Sequence, residues 1–138
     1  MKPSPRRKAR ELAMQAIYSW QLSQNPSTEI ETNFLVDNAK RRFDIEYFQL
    51  LLRGVCTDIT EIDALLSPNV DRPLEDIDQL EKAILRVAAF ELKTCQDVPY
   101  RVVINEAIEL AKGFAADDSH KFVNGVLDKV IKLTRPQE

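Results

Sequence analysis

The chain has 138 residues, of which 44% are apolar and 30% charged, a composition that predicts one folded domain and excludes wholesale disorder. Three glycines are too few for a glycine-rich β-sandwich or a dinucleotide-binding fingerprint, and two cysteines are too few for a disulfide framework. The first ten residues carry five basic and no acidic side chains, so the other 128 residues carry fourteen basic against twenty-two acidic ones, a net charge of −8. A cationic arm on an acidic body is typical of a protein that binds a polyanion.

The first predicted helix begins at Pro5, with Ser4 as its N-cap, and runs to about Leu22. Its apolar residues fall on one stripe of the helix: Ala9, Leu12, Ala13, Ala16, Ile17 and Trp20. A second helix is predicted from residue 27 or 28 to about residue 40.

A third predicted helix begins after Asp44 and runs to Leu66. Its apolar residues alternate three and four apart, which is typical of a buried seam: Ile45, Phe48, Leu52, Val55, Ile59, Ile62 and Leu66. Ser67 and Pro68 end this helix, so a loop over residues 67–73 separates the first three helices from the rest.

Three or four helices are predicted after this loop. The first follows an acidic run that suits the positive end of a helix: Glu75, Asp76, Asp78 and Glu81. The next ends near Gly113 and Phe114, and the last is capped within residues 117–119 and continues to about Ile131. Since no segment alternates with period two, we predict an all-α fold with two small helical subdomains, about 1–66 and 74–138, on one shared core.

The basic end of the first helix is the strongest functional signal. On a helical wheel, Arg6, Arg7 and Arg10 share an arc of about 120° with Met14 and Tyr18, beside the apolar stripe. Arginine binds phosphate through two hydrogen bonds, and guanidinium and tyrosine stack on unpaired bases, so we expect this arc to bind single-stranded RNA. Because exposed charges contribute little to stability, the arc is not expected to matter for folding. A solvated terminus without function is the alternative interpretation.

A second protein is expected to assist, since a short arm binds RNA only weakly at physiological salt. The acidic run at residues 75–81, with Glu75 and Glu81, is the candidate surface for such a basic partner. Helix capping on a solvated face is the alternative interpretation of these acids.

Catalysis is not predicted. The sequence lacks a G-x-S-x-G motif, a P-loop and an H-E-x-x-H motif. The polar group Asn105, Glu106 and Glu109 fits a solvated helix face, and His120 lies beside residues that point away from it. We therefore expect no enzyme, cofactor or metal, and a protein of the cytoplasm, because no stretch of about twenty apolar residues is present.

Four segments together resemble the NusB family of transcription antitermination factors: RRKARELAMQAIYSWQLSQ, EKAILRVAAFEL, INEAIELAKGF and SHKFVNGVLDKV. The similarity extends over nearly the whole chain. It is weakest between Pro26 and Asp44, where Lys40, Arg41 and Arg42 are not typical of the family. The resemblance implies an all-helical fold of two perpendicular subdomains and a heterodimer with the small-subunit ribosomal protein NusE. It further implies that the pair binds the boxA element of nascent RNA and assembles with other Nus factors and RNA polymerase, promoting processive transcription of ribosomal RNA operons.

The resemblance also assigns residues. In the family the arginine-rich opening contacts RNA, which corresponds here to Lys2, Arg6, Arg7, Lys8 and Arg10. Three residues match family positions that bear on complex assembly, namely Tyr18, Glu81 and Asp118, and Tyr18 also lies on the RNA-binding arc. Arg86 and Lys121 are the further RNA contacts that we expect.

Two other functions remain open at this point. NusB-like domains also occur in some ribosomal RNA cytosine methyltransferases, where they help to hold the substrate RNA. The end of the chain at residue 138 leads us to expect no catalytic domain. The other alternative is a helical adaptor that binds only proteins.

Overall fold

The computed structural model describes residues 4–137, which contain seven α-helices and two short 3-10 turns. The helices are α1 (Pro5–Ser23), α2 (Ser27–Asp37), α3 (Ile45–Thr57), α4 (Ile59–Leu66), α5 (Gln79–Thr94), α6 (Tyr100–Phe114) and α7 (Ser119–Thr134). The 3-10 turns cover Ser67–Asn69 and Leu74–Asp76. Within this part of the chain no strand occurs, and no helix is long and apolar enough to cross a membrane. The all-α prediction is confirmed.

The third predicted helix is in fact two helices, α3 and α4, which meet at Asp58. Its backbone (φ −99°, ψ 22°) leaves the helical region. The Asp58 N–H donates to the Gly54 carbonyl at 2.9 Å, and the Asp58 carbonyl accepts from the Ile62 N–H at 2.9 Å, so this residue ends one helix and begins the next. Four helices therefore precede the loop and three follow it. The apolar spacing runs unchanged across Asp58, which is why periodicity did not reveal the break.

Side-chain caps start α1, α3 and α5. Ser4 Oγ accepts from the Arg7 N–H at 3.0 Å, and the Asp44 carboxylate accepts from the Tyr47 N–H at 3.0 Å. The Asp78 carboxylate accepts from the first amides of α5. Glu75 and Asp76 lie in the preceding 3-10 turn, and of the acidic run only Glu81 belongs to the first turn of α5. Asp118 occupies the N-cap position of α7, within the predicted residues 117–119, but its φ is 70° and its side chain makes no capping hydrogen bond.

One continuous apolar core joins all seven helices, with α1 and α5 at its centre. Helix α1 packs on α3 and α5, and α5 also packs on α6 and α7. Ile45, expected on the buried seam, is 49% exposed, and Phe114 at the end of α6 is 39% exposed. The division into subdomains near residues 66 and 74 stays a prediction, and the core crosses it. The core fixes the end of α1 against α3, α5 and α6, where the candidate site lies.

Candidate nucleic-acid interface

The N-terminal end of α1 brings Arg6 and Arg7 to the surface, whereas Lys2 lies outside the described residues. The guanidinium carbon of Arg6 lies 4.1 Å from the centroid of the Tyr47 ring on α3, in a cation–π contact. Arg6 has no ion-pair partner within residues 4–137. This contact orients Arg6 while leaving its charge available to an anion.

Arg7 forms an ion pair with Glu106 on α6. Its Nε atom donates to the two carboxylate oxygens at 2.9 and 3.1 Å, and 53% of the Arg7 side chain is exposed against 15% for Glu106. The hydrogen bond that Arg7 donates to Glu106, and then the negative charge of Glu106, raise the pKa of Arg7. Phosphate offers the same paired oxygen acceptors as a carboxylate, so a phosphate group can replace Glu106. Lys8 is half-buried, with its Nζ atom 2.6 Å from a Glu11 oxygen.

Arg10 is buried, which corrects the prediction of an exposed cationic arc. Only 4% of Arg10 is exposed, and its Nε atom donates to both oxygens of Glu91 on α5 at 2.9 and 3.1 Å. Its Nη1 atom lies 3.7 Å from Glu106. Met14, on the same arc, is fully buried. Of the residues on this arc, Arg7 and Arg10 therefore pair with acidic side chains of α6 and α5, and Arg10 is a structural residue in this conformation.

Tyr47 completes this buried network. Its hydroxyl donates to Glu91 Oε2 at 2.6 Å. Burial, reinforced by the charge of Glu91, raises the pKa of Tyr47, so the hydroxyl keeps its proton at neutral pH. Burial by itself lowers the pKa of Arg10. The hydrogen bond to Glu91 and the negative charge of Glu91 outweigh burial, so the pKa of Arg10 is raised. Because the Tyr47 ring also supports Arg6, the network links the buried ion pair to the exposed surface.

Tyr18 of α1 and Arg86 of α5 lie at a second position, farther along α1 from its N-terminal end. Tyr18 is half-buried against the core, about 16 Å along the helix axis from Arg7. One turn later, Gln21 Oε1 accepts from Arg86 Nη1 at 3.0 Å. Arg86 also donates to both oxygens of Asp63 on α4, at 3.0 and 2.9 Å. Arg86 is thus fixed by two neighbours and does not extend freely into solvent.

A cavity of about 410 Å³ opens beside Arg86, and sequence reasoning missed it. Its lining combines one aromatic ring, three amides and two cations: Trp20, Gln21, Gln24, Gln79, Lys82 and Arg86. Burial, and then the charge of Arg86, lower the pKa of Lys82, which is 7% exposed. The spacing of Lys82 and Arg86, four residues apart on α5, could have indicated a shared cationic face. Trp20 had been assigned to the apolar stripe alone.

The residues predicted for assembly are distributed over several elements. Glu75 is exposed on the second 3-10 turn, and Glu81 is half-buried in the first turn of α5, next in sequence to cavity residue Lys82. Asp118 and Lys121 are paired at the start of α7, with an Oδ1–Nζ distance of 3.3 Å and each side chain more than 70% exposed. Glu81 is on the same helix as some of the cavity residues but does not line the cavity, and Asp118 and Lys121 occupy a separate element.

The described residues show no site for a metal. Among residues 4–137, no group of three or more His, Cys, Asp and Glu side chains is arranged to hold an ion. Glu106, which was expected on a solvated helix face, has a side chain that is 15% exposed and forms an ion pair with Arg7. The side chains gathered at α1 are suited to binding anions and stacking on rings.

Comparison with known proteins identifies the family. The model of the NusB family matches residues 7–132. Transcription antitermination protein NusB of Colwellia psychrerythraea is 79% identical over the full length of both chains. The structure of T. maritima NusB is 31% identical to this chain, covers 96% of this chain and 93% of its own, and superposes with a TM-score of 0.84. A structure of antitermination factors NusB and NusE in complex with dsRNA is 26% identical, covers 93% of this chain and 96% of its own, and has a TM-score of 0.85. This chain belongs to the NusB family.

Proposed function

We propose that this chain is a transcription antitermination factor that binds boxA-type single-stranded RNA together with the ribosomal protein NusE. The observation that carries the proposal is the full-length identity of 79% with a transcription antitermination protein. A structure of NusB and NusE in complex with dsRNA, which covers 93% of this chain, supports NusE and RNA as partners. As the family implies, the complex would join other Nus factors and RNA polymerase in the cytoplasm and act on ribosomal RNA operons.

Arg6 and Arg7 are the phosphate-binding residues of this proposal. Arg6 is supported by the Tyr47 ring, and Arg7 exchanges the Glu106 carboxylate for an RNA phosphate. Arg10 acts beneath them by fixing α1 to Glu91. Arg6 and Arg7 therefore present their guanidinium groups in a defined direction and lose little side-chain entropy on binding.

The cavity at Lys82 and Arg86 is the second contact region. Its Trp20 ring and glutamine amides suit an unpaired base, and its two cations suit the adjoining phosphate. Tyr18 lies between this cavity and the end of α1 along the same helix. A strand that contacts both regions gains avidity without tight binding at either one, and NusE adds a third contact. The chain would act as a scaffold and supply no chemical step.

A fluorescence titration of boxA-type single-stranded RNA, with and without NusE, tests the proposal. The double variant Arg6→Gln/Arg7→Gln should reduce the slope of log K against log salt by about 0.7 for each lost phosphate contact. The control Arg53→Gln/Arg101→Gln carries the same charge change. Arg53 is an exposed arginine paired with Glu31, and Arg101 lies over the Tyr100 ring, so both resemble the residues under test.

The control variant should bind RNA like the unmodified chain. If the Arg6→Gln/Arg7→Gln variant has the same affinity and salt slope as the unmodified chain, the assignment of those residues to RNA binding is refuted. Duplex RNA of the same sequence serves as a competitor, and tighter binding of the duplex would refute the single-strand preference. Recovery of NusE with no effect of RNA would favour a protein-only adaptor.

A further inference from the structure

The turn between α2 and α3 contains three consecutive cations, Lys40, Arg41 and Arg42. All three are exposed, and none has an ion-pair partner within residues 4–137. Three of the four cations of α1 differ, since Arg7, Lys8 and Arg10 pair with carboxylates of their own molecule, and Arg6 alone resembles the turn in this respect. The turn therefore carries positive charge that no nearby carboxylate pairs with.

The turn has a defined structure. The Asn38 N–H and side-chain amide both donate to the Phe34 carbonyl, at 3.0 and 2.8 Å, and the Arg41 N–H donates to the Asn38 carbonyl at 3.0 Å. On either side of the turn an aromatic ring packs on Phe48 of α3. The ring centroid of Phe34 lies 6.3 Å from that of Phe48, and the centroid of Phe43 lies 5.9 Å from it, edge to face. The backbone that carries the three cations is thus held from both ends.

A hydrogen bond joins this turn to the start of α1. The Asp44 N–H donates to the Pro5 carbonyl at 3.0 Å. Arg42 precedes Asp44 by two residues, and Arg6 directly follows Pro5, so standard bond lengths place the Cα atoms of Arg42 and Arg6 at most about 12 Å apart. At a rise of about 3.4 Å per nucleotide, a stacked strand covers that distance with about four nucleotides.

We propose that Lys40, Arg41 and Arg42 form a second phosphate-binding site that extends the RNA path from Arg6 across the turn. The inference rests on the proposed function, because it assigns further contacts to the same strand. The carboxylate of Asp44 accepts the Tyr47 N–H and so is engaged in capping α3. An RNA strand that leaves Arg6 in this direction meets three cations whose charge is otherwise directed to solvent.

The test is a salt titration of the full chain with fluorescein-labelled boxA-type single-stranded RNA. The variant Lys40→Gln/Arg41→Gln/Arg42→Gln is compared with Arg101→Gln/Lys129→Gln/Lys132→Gln, which makes the same charge change at exposed positions of α6 and α7. For one to three lost contacts, the slope of log K against log salt should fall by about 0.7 to 2 in the turn variant. Its affinity at 0.1 M salt should fall at least about five-fold, and the control should match the unmodified chain.

The outcomes separate this inference from the proposed function. Equal weakening of the turn variant and the control would overturn the inference, because net charge alone would then explain the effect. An unchanged turn variant, with the Arg6→Gln/Arg7→Gln variant weakened, would overturn it while the proposed function stands. If the unmodified chain does not bind the RNA, the proposed function fails and the inference fails with it. Unfolding midpoints in urea confirm that all variants are folded.

Discussion

Replacing Arg10 tests whether the buried ion pair, and not phosphate binding, is the main role of that residue. Arg10→Met removes the charge and keeps most of the aliphatic volume. Glu91, which is 2% exposed, then keeps one hydrogen bond, from the Tyr47 hydroxyl, and loses both from Arg10. Breaking a buried pair and leaving one charge uncompensated costs about 3–5 kcal/mol.

This magnitude is measurable by urea unfolding followed by circular dichroism. For a chain of this length, a loss of 3–5 kcal/mol corresponds to a fall in Tm of about 10–20 °C. Arg7→Met is the matched control, because its pair with Glu106 is exposed and is worth less than about 1 kcal/mol. In the double variant Arg10→Met/Glu91→Gln, the side-chain amide oxygen at position 91 still accepts from the Tyr47 hydroxyl. The uncompensated negative charge is removed. The double variant should therefore be more stable than the sum of the two single changes, by about 1–3 kcal/mol.

A cost below about 1 kcal/mol for Arg10→Met would refute this reasoning, as would strict additivity in the double variant. Either result would mean that water solvates Glu91 once Arg10 is removed. A simultaneous alanine replacement of Arg6, Arg7 and Arg10 would confuse loss of binding with loss of fold. The Arg6/Arg7 double variant is therefore the proper probe of RNA binding.

Two further predictions concern a close approach in the core and the half-buried thiol of Cys56. Gly54→Ala should destabilise the protein by about 1–3 kcal/mol because an added Cβ would overlap the Phe90 ring, whereas Gly125→Ala, with open space at its Cβ, should stabilise α7 by up to about 1 kcal/mol. Urea midpoints that shift in the same direction for both variants would contradict that assignment. Burial raises the pKa of the Cys56 thiol from 9.0 to about 11, so the unfolded thiol ionises first and stability falls as pH rises from about 9 to about 11. Because Cys56 is partly exposed, the expected loss in the free energy of unfolding over this pH range is about 1 kcal/mol. If the stability of a Cys56→Ala variant declines as steeply with pH, this explanation is wrong.

Helix positions and caps were largely predictable because they depend on local chemistry. Ser4 and Asp44 act as the N-caps that the sequence indicated, and Pro5 is the first residue of α1. The break at Asp58 was not predictable from apolar spacing, since the buried stripe passes through it without a change in period. Side-chain capping and periodicity are encoded within a few residues, whereas the direction of a helix after a kink depends on what it packs against.

The candidate site was predicted less completely, because charge pairs between distant segments leave no local pattern. Arg10 and Glu91 are 81 positions apart in sequence, and Arg7 and Glu106 are 99 apart. A helical wheel of α1 showed which cations share an arc but could not show that acidic residues of α5 and α6 face it. The cavity at Lys82 was missed for the same reason, as its lining comes from two helices.

The most direct test of the central claim is an NMR titration of the arginine Nε–H signals with boxA-type single-stranded RNA. The account predicts that the Arg7 signal shifts as its Nε atom exchanges Glu106 for phosphate, while the Arg10 signal, buried against Glu91, stays in place. A shift of the Arg10 signal with an unchanged Arg7 signal would contradict the account.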